Sequence, residues 1–354
     1  MPGHSVQQFK GAGLFATFAN KIALAAGSPA TISVALLVAW ALFAPFTARA
    51  KGHLDPAAVN NATYVEDARR IQGPLAIKLQ ILLDRAHTSP GLIDGREGKN
   101  VENAIRSFEE RSHLPVDGRL DSRVWELLQH DTKDVLVRYE LQADDLKGPF
   151  VERIPTDFAE MARMERLPYS GPTELLSEKF HVHPDLLKAL NPDARLKVGE
   201  QIFVPNVMDG APKKKVERIE VDKGQSVVRG YAADNTLVVS YPATIGSRQN
   251  PSPEGTMKVK GIAHNPRYAY RPDKNFQQGD NAEPLDLPPG PNGPVGSVWI
   301  DLTKETYGIH GTPEPESVGK TASHGCVRLT NWDAEELAGL VRPGTKVSFV
   351  NGNQ

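Results

Sequence analysis

The sequence predicts a multi-domain α+β protein in which short helices come first and a mostly β domain comes last. Three observations lead there. Between residues 74 and 130 the apolar residues recur at helical spacing. After residue 216 they recur in runs rich in Val, Ile and Thr, bounded by turn residues. Between these textures, Gly210-Ala211-Pro212 and three consecutive lysines form a polar linker at 208–215. A length of 354 residues suits two or three domains. With 40% hydrophobic and 24% charged residues, ordinary globular cores are expected. The formal charge of -2 lacks the basic footprint of a nucleic-acid partner.

The first fifty residues contain no Asp or Glu, and their only Lys and Arg are Lys10, Lys21 and Arg49. A nearly unbroken apolar run from Ala30 to Phe46 is followed by Ala48-Arg49-Ala50. A positive start, an apolar stretch and an A-x-A site make a secretory signal, with cleavage expected after Ala50. The alternative is an uncleaved anchor, because the run is just short of the roughly 18–20 residues a spanning helix needs. Either way the expected location is the periplasm or cell envelope, with membrane contact only through this segment. The single cysteine, Cys326, cannot form an intrachain disulfide, so a lone thiol in an oxidising compartment needs another reason to be present.

Residues 51–73 read as a flexible entry segment. Leu75, Leu79, Leu82 and Leu83 share one helical face, which ends at Ser89-Pro90-Gly91. A second helix is expected from about Asn100 to Arg111, with Val101, Ala104, Ile105 and Phe108 on its stripe. A third follows from Ser122 to Leu128, capped by Asp121 or Ser122. The segments I-D-G-R-E-G at 93–98, A-I-R-S-F at 104–108 and L-P-V-D-G-R-L at 114–120 resemble the peptidoglycan-binding type 1 domain, over about residues 74–130. No His/Cys/Asp cluster in this stretch has metal-ligand spacing.

A second module is expected over 155–207. Leu186-Leu187 to Asn191-Pro192, then Leu196 to Pro205, resemble the second half of a LysM repeat. Its first strand, sought around Tyr169 to Leu175, is poorly kept. His181 and His183 are read as surface residues, because positions i and i+2 of a helix diverge.

From 216 to 350 strands are expected at 216–221, 226–231, 236–241, 256–262 and 298–302. A long segment from His264 to Gly296, dense in Pro, Gly, Asn and Asp, reads as a lid, a binding loop or disorder. The chemistry concentrates at Tyr307-Gly308-Ile309-His310-Gly311-Thr312 and Ser323-His324-Gly325-Cys326-Val327-Arg328-Leu329. A thiol attacks best as thiolate, and an imidazole can activate it by taking its proton. His324 is too near in the chain for a well-aligned contact. His310 can return on a neighbouring strand and meet the sulfur. Gly325 removes a side chain where backbone amides could approach an oxyanion.

These segments, with Ser252-Pro253-Glu254-Gly255-Thr256 upstream, closely resemble the catalytic signature of the L,D-transpeptidases of YkuD type. The resemblance implies a mostly β catalytic sandwich over 216–350, with Cys326 as nucleophile and His310 as general base oriented by the Gly311 carbonyl. It further implies oxyanion-hole amides from His324, Gly325 and Cys326, a stem-peptide carboxylate held by Arg328, and a hydrogen bond near the site from Ser323. The implied reaction belongs to cell-wall biogenesis and cell shape. A thioester forms with the third stem residue, D-alanine leaves, and a second stem resolves the thioester as a 3-3 crosslink. The same scaffold serves an L,D-carboxypeptidase, a crosslink-cleaving amidase or a lipoprotein-to-wall ligase, depending on the acceptor. A non-catalytic wall-binding protein is the remaining alternative. The expected partners are peptidoglycan stem peptides and glycan, with a lipoprotein lysine as an alternative acceptor. No metal or organic cofactor is expected.

Overall fold

The computed structural model describes residues 54–66, 71–207, 210–246, 251–274, 276–323 and 325–352. The expected export segment therefore lies outside the described residues, as does His324. Among the described residues no helix is long and apolar enough to cross a membrane.

The three early helices form at Pro74–Arg85, Lys99–Arg111 and Ser122–Leu128, each within one residue of its expected start. Leu79, Leu82 and Leu83 are buried, as their spacing requires. Asp121 is the cap of the third helix, its carboxylate accepting from the Val124 amide at 2.9 Å. Both Asp-Gly turns are gripped by a buried helix side chain. The Gln80 carbonyl oxygen accepts from the amides of Asp94 and Gly95, at 3.1 and 2.7 Å. One oxygen of Glu109 accepts from those of Asp117 and Gly118, at 3.0 and 2.8 Å. Gly95 and Gly118 both stand at φ +74°, the left-handed region that glycine enters without steric penalty.

The second module differs from the expectation. Its first strand is Leu136–Glu140, upstream of the expected boundary at 155, and it pairs antiparallel with Gln201–Pro205. The stretch where that strand was sought enters the helix Pro172–Lys179, followed by the helix Pro184–Leu190. Pro172 explains this, since proline offers no ladder donor and is preset for a first helical turn. Leu79, Phe108, Leu136, Leu176, Leu187 and Val204 belong to one hydrophobic cluster, so the two modules share a core. Truncating a buried leucine of such a core costs about 2–5 kcal/mol.

His181 is only partly exposed, at 19% of its side chain. It sits after the helix at φ +54°, its Nδ1 lies 3.1 Å from Asp84, and its ring stacks on Trp332 at 4.9 Å. The chain turns there so that Val182 can bridge Ile93, which draws the imidazole between the modules.

Among the described residues the β domain is built on one eight-stranded sheet, with two short two-stranded pairs beside it. In spatial order its strands are Val327–Arg328, Gly308–His310, Val298–Leu302, Gly255–His264, Lys346–Val350, Arg218–Asp222, Val227–Tyr231 and Leu237–Pro242. A helix, Asn331–Leu340, was not anticipated. Its signal was Thr330, whose hydroxyl accepts from the Asp333 amide at 3.2 Å as an N-cap. The helix buries Ala334, Leu337, Ala338 and Leu340 in the core of the β domain.

The long 264–296 segment is ordered by a contact far away in sequence. Phe158 and Met161, on the helix Phe158–Met161, pack with Leu167 against Tyr270 and Leu287. Short strands at Tyr268–Tyr270 and Leu285–Leu287 pair there, and Gln278 and Asn281 bond back to Thr156 and Asp157.

Candidate active site

The pairing at one sheet edge brings the two motifs together. Gly308–His310 and Val327–Arg328 run parallel, with Ile309 opposite Val327 and His310 opposite Arg328. Cys326, immediately before its strand, therefore arrives beside Gly308. Gly308 is glycine because a Cβ there would stand 2.5 Å from the Trp299 ring. That ring stacks on His310 with centroids 5.4 Å apart.

His310 is 4% exposed, and its Nδ1 lies 2.6 Å from the Gly311 carbonyl. A carbonyl only accepts, so Nδ1 carries the proton and Nε2 keeps a lone pair. Burial pushes the imidazole pKa down to about 3, the nearby Arg328 charge adds to this, and the Gly311 carbonyl opposes it. Burial pushes the Cys326 thiol up, partly offset by a backbone hydrogen bond from Gly308 and by Arg328. The half-buried thiol donates to the Thr306 carbonyl at 3.5 Å. At rest the pair is therefore a neutral thiol and a neutral imidazole.

The turn before the cysteine is tied by serines. Ser323 Oγ donates to the Cys326 carbonyl at 2.5 Å and accepts from the Gly325 amide at 3.1 Å. Its hydroxyl is thus engaged in shaping the turn beside the cysteine. The Gly325 amide, expected in an oxyanion hole, is likewise taken. Gly325 itself stands at φ +116°, with a Cβ position 3.0 Å from Tyr307. Ser252, which sequence reasoning assigned no role, locks the turn from outside: it donates to the Gly325 carbonyl at 2.7 Å and accepts from the Gly246 amide at 2.9 Å. The Gly311 amide bonds to Val298, and its carbonyl holds the imidazole.

Arg328 pairs through its backbone with Thr244, and among the described residues its guanidinium has no carboxylate partner. It lines a cleft of about 710 Å³ together with Cys326, His310, Ser323, Trp299 and Tyr307. A free cation on the wall of that cleft is suited to an anionic group of a ligand. The other wall was missed by sequence reasoning. Arg153, Ile154, Phe158, Met161 and Glu174, all upstream of the β domain, line the same cleft. Among the described residues no group of three His, Cys, Asp or Glu side chains is placed to hold a metal.

With this geometry in hand, the comparisons are specific. Residues 216–348 match the family model of the YkuD L,D-transpeptidase catalytic domain, and residues 72–128 match a peptidoglycan binding domain. A Bacillus licheniformis relative named as the L,D-transpeptidase YkuD is 30% identical over 179 residues, which is 50% of this chain and 92% of that protein. Its Bacillus subtilis counterpart is 29% identical, over 49% of this chain and 90% of that protein. An Escherichia coli relative named as the L,D-transpeptidase YbiS is 28% identical over 44% of this chain, which spans only 49% of that protein. Among solved structures, an L,D-transpeptidase from Mycobacterium smegmatis is similar at TM-score 0.32 and 18% identity, covering 44% of this chain and 64% of that one.

Proposed function

Since the chain belongs to the L,D-transpeptidase family of YkuD type, we propose that it crosslinks peptidoglycan by acyl transfer through Cys326, with His310 as the proton carrier. One observation carries the reading. The only thiol of the chain shares a cleft with an imidazole whose Nδ1 proton is fixed by the Gly311 carbonyl, leaving Nε2 free to accept.

The thiol proton passes to His310 Nε2 as sulfur attacks the carbonyl of the third stem residue. The C–N bond then breaks, the imidazolium gives its proton to the departing D-alanine amine, and a thioester remains. An amine of a second stem attacks that thioester. Sulfur leaves, the acceptor's proton returns through His310 to the thiol, and a 3-3 crosslink is formed. Arg328, without a carboxylate partner among the described residues, is assigned the stem-peptide carboxylate. With the Gly325 amide engaged, the oxyanion is assigned to the Cys326 amide, and to that of His324, which lies outside the described residues. The helical module and the second module are assigned wall binding, and the protein is assigned to the cell envelope. The match of residues 72–128 supports this placement.

The test incubates the chain from residue 51 onward with disaccharide-tetrapeptide and reads the products by mass spectrometry. Crosslinked dimer with release of D-alanine is expected. A tripeptide product makes water the acceptor and the enzyme a carboxypeptidase. An unchanged substrate points to a protein lysine or to an inactive site.

A further inference from the structure

Glu178 belongs to the helix Pro172–Lys179 of the second module, yet its carboxylate bonds to Asn331 of the β domain. It is 7% exposed. Both its oxygens accept from Asn331 Nδ2, at 2.9 and 3.0 Å, and one also accepts from the Tyr169 hydroxyl at 3.2 Å. The same Nδ2 donates to the Pro291 carbonyl at 3.2 Å, which uses the second hydrogen of the amide. On the other side, Asn331 Oδ1 accepts from the Ser297 amide at 3.1 Å.

This carboxamide lies directly against the backbone that holds the base. A Cβ at Gly311 would stand 2.2 Å from Asn331 Oδ1, and one at Gly296 would stand 2.0 Å from it. Gly311 is the residue whose carbonyl fixes His310 Nδ1. We propose that Glu178 is a positioning residue for the reaction: it fixes the Asn331 carboxamide, which seats the corner of Ser297 and Gly311 and, through it, the imidazole of His310. The inference rests on the reading of Cys326 and His310 given above, and it makes the second module part of the catalytic machinery.

The contact is not a surface ion pair that could be lost without effect. Burial raises the Glu178 carboxyl to about 7, against the opposing bonds from Asn331 and Tyr169, so the group is kept there by its partners. The neighbouring chain braces the same corner. Leu167 donates to the Pro289 carbonyl at 2.9 Å, the Asn292 amide donates to the Leu167 carbonyl at 3.1 Å, and Asn292 Nδ2 donates to the Pro168 carbonyl at 2.9 Å.

The experiment measures single-turnover acylation of Cys326 by imipenem in the full chain and in Glu178→Ala, Glu178→Gln and Asn331→Ser, with circular dichroism to verify folding. A positioned base contributes about 10² to 10⁴-fold, so loss of its seat in Glu178→Ala should slow acylation at least about tenfold. Glutamine keeps an acceptor for Asn331 and should stay within about threefold of wild type, by the same scale. Iodoacetamide alkylation at strongly alkaline pH, where the thiolate forms without a base, should be equal in all of them. Asn331→Ser repeats the test if the alanine variant does not fold, and it should lose at least as much. Wild-type acylation by folded Glu178→Ala or folded Asn331→Ser overturns the inference alone. A wild-type chain that imipenem leaves unmodified at Cys326 overturns the catalytic reading as well.

Discussion

His310 is kept neutral by burial and by the charge of Arg328, while Cys326 is kept protonated by burial. On the proposed reading such a pair does not store a thiolate; it makes one when substrate arrives and the proton moves to Nε2. The iodoacetamide reactivity of Cys326 should therefore climb only above the ordinary thiol value of about 8.5, with no plateau at acid pH. Alkylation that holds a constant rate down to pH 5 would show a preformed ion pair and refute this. The imidazole also sets a stability window. Burial holds it at about 3 in the folded protein against an ordinary 6.5, so the unfolded chain binds the proton first. Its contribution is complete above pH 6.5 and is lost as pH falls toward 3. Replacing the base should cost more than replacing its neighbour. His310→Ala is expected to lose about 10² to 10⁴-fold in imipenem acylation and to flatten its pH profile. His324→Ala should lose less and keep the profile, and the opposite pattern would exchange the two roles.

Among the elements, the paired Asp-Gly turns show how the helical module fixes its shape. Glu109 projects from the helix Lys99–Arg111 and takes both amides of the second turn on one oxygen. Burial raises its carboxyl, opposed by those same two amides. Glu109→Ala leaves the Asp117 and Gly118 amides without that acceptor, and an unsatisfied buried donor costs about 1–3 kcal/mol. The variant should melt earlier in a thermal scan while acylating Cys326 at the wild-type rate, because among the described residues no hydrogen bond of this turn reaches the cleft. An unchanged melting point would mean that the turn is held by its glycine alone. The helix Asn331–Leu340 has the opposite character. Its cap, Thr330, and its first residue, Asn331, lie at the corner of Ser297 and Gly311.

In the whole molecule, the helical module docks on the β domain through bonds that neither part makes alone. Ser107 and Ser240 hydroxyls meet at 2.7 Å, Thr88 bridges Ser240, and the Tyr231 hydroxyl donates to Glu110 at 3.0 Å. Asn100 and Asn103 donate to the carbonyls of Val318 and Gln225, at 3.0 and 2.8 Å. From its sequence, the β domain after the linker looks self-sufficient and the earlier modules look like added wall affinity. The cleft, however, takes part of its wall from those modules. A piece comprising residues 216–354 lacks Arg153, Phe158 and Met161 from the cleft wall, and it lacks Glu178. It should be acylated by imipenem at least about tenfold more slowly than the chain from residue 54, given what positioning contributes. Equal rates in the two would make the modules dispensable for the chemistry.

What the sequence determined by itself was local or contiguous. The helices Pro74–Arg85, Lys99–Arg111 and Ser122–Leu128 were legible because a 3.6-residue period and their turn residues are written into adjacent positions. The Cys326 and His310 motifs were legible because their chemistry needs particular residue types at short spacing. The tertiary structure decided everything that depends on distant partners. It placed the first strand of the second module at Leu136–Glu140, drew His181 under Trp332, and ordered the 264–296 segment with Phe158. It also turned Ser323 and the Gly325 amide inward, and set Glu178 behind the base. None of these has a period or a motif. Glu178 and Asn331 are 153 positions apart, and only the closing of the fold brings a carboxylate to the amide it orients.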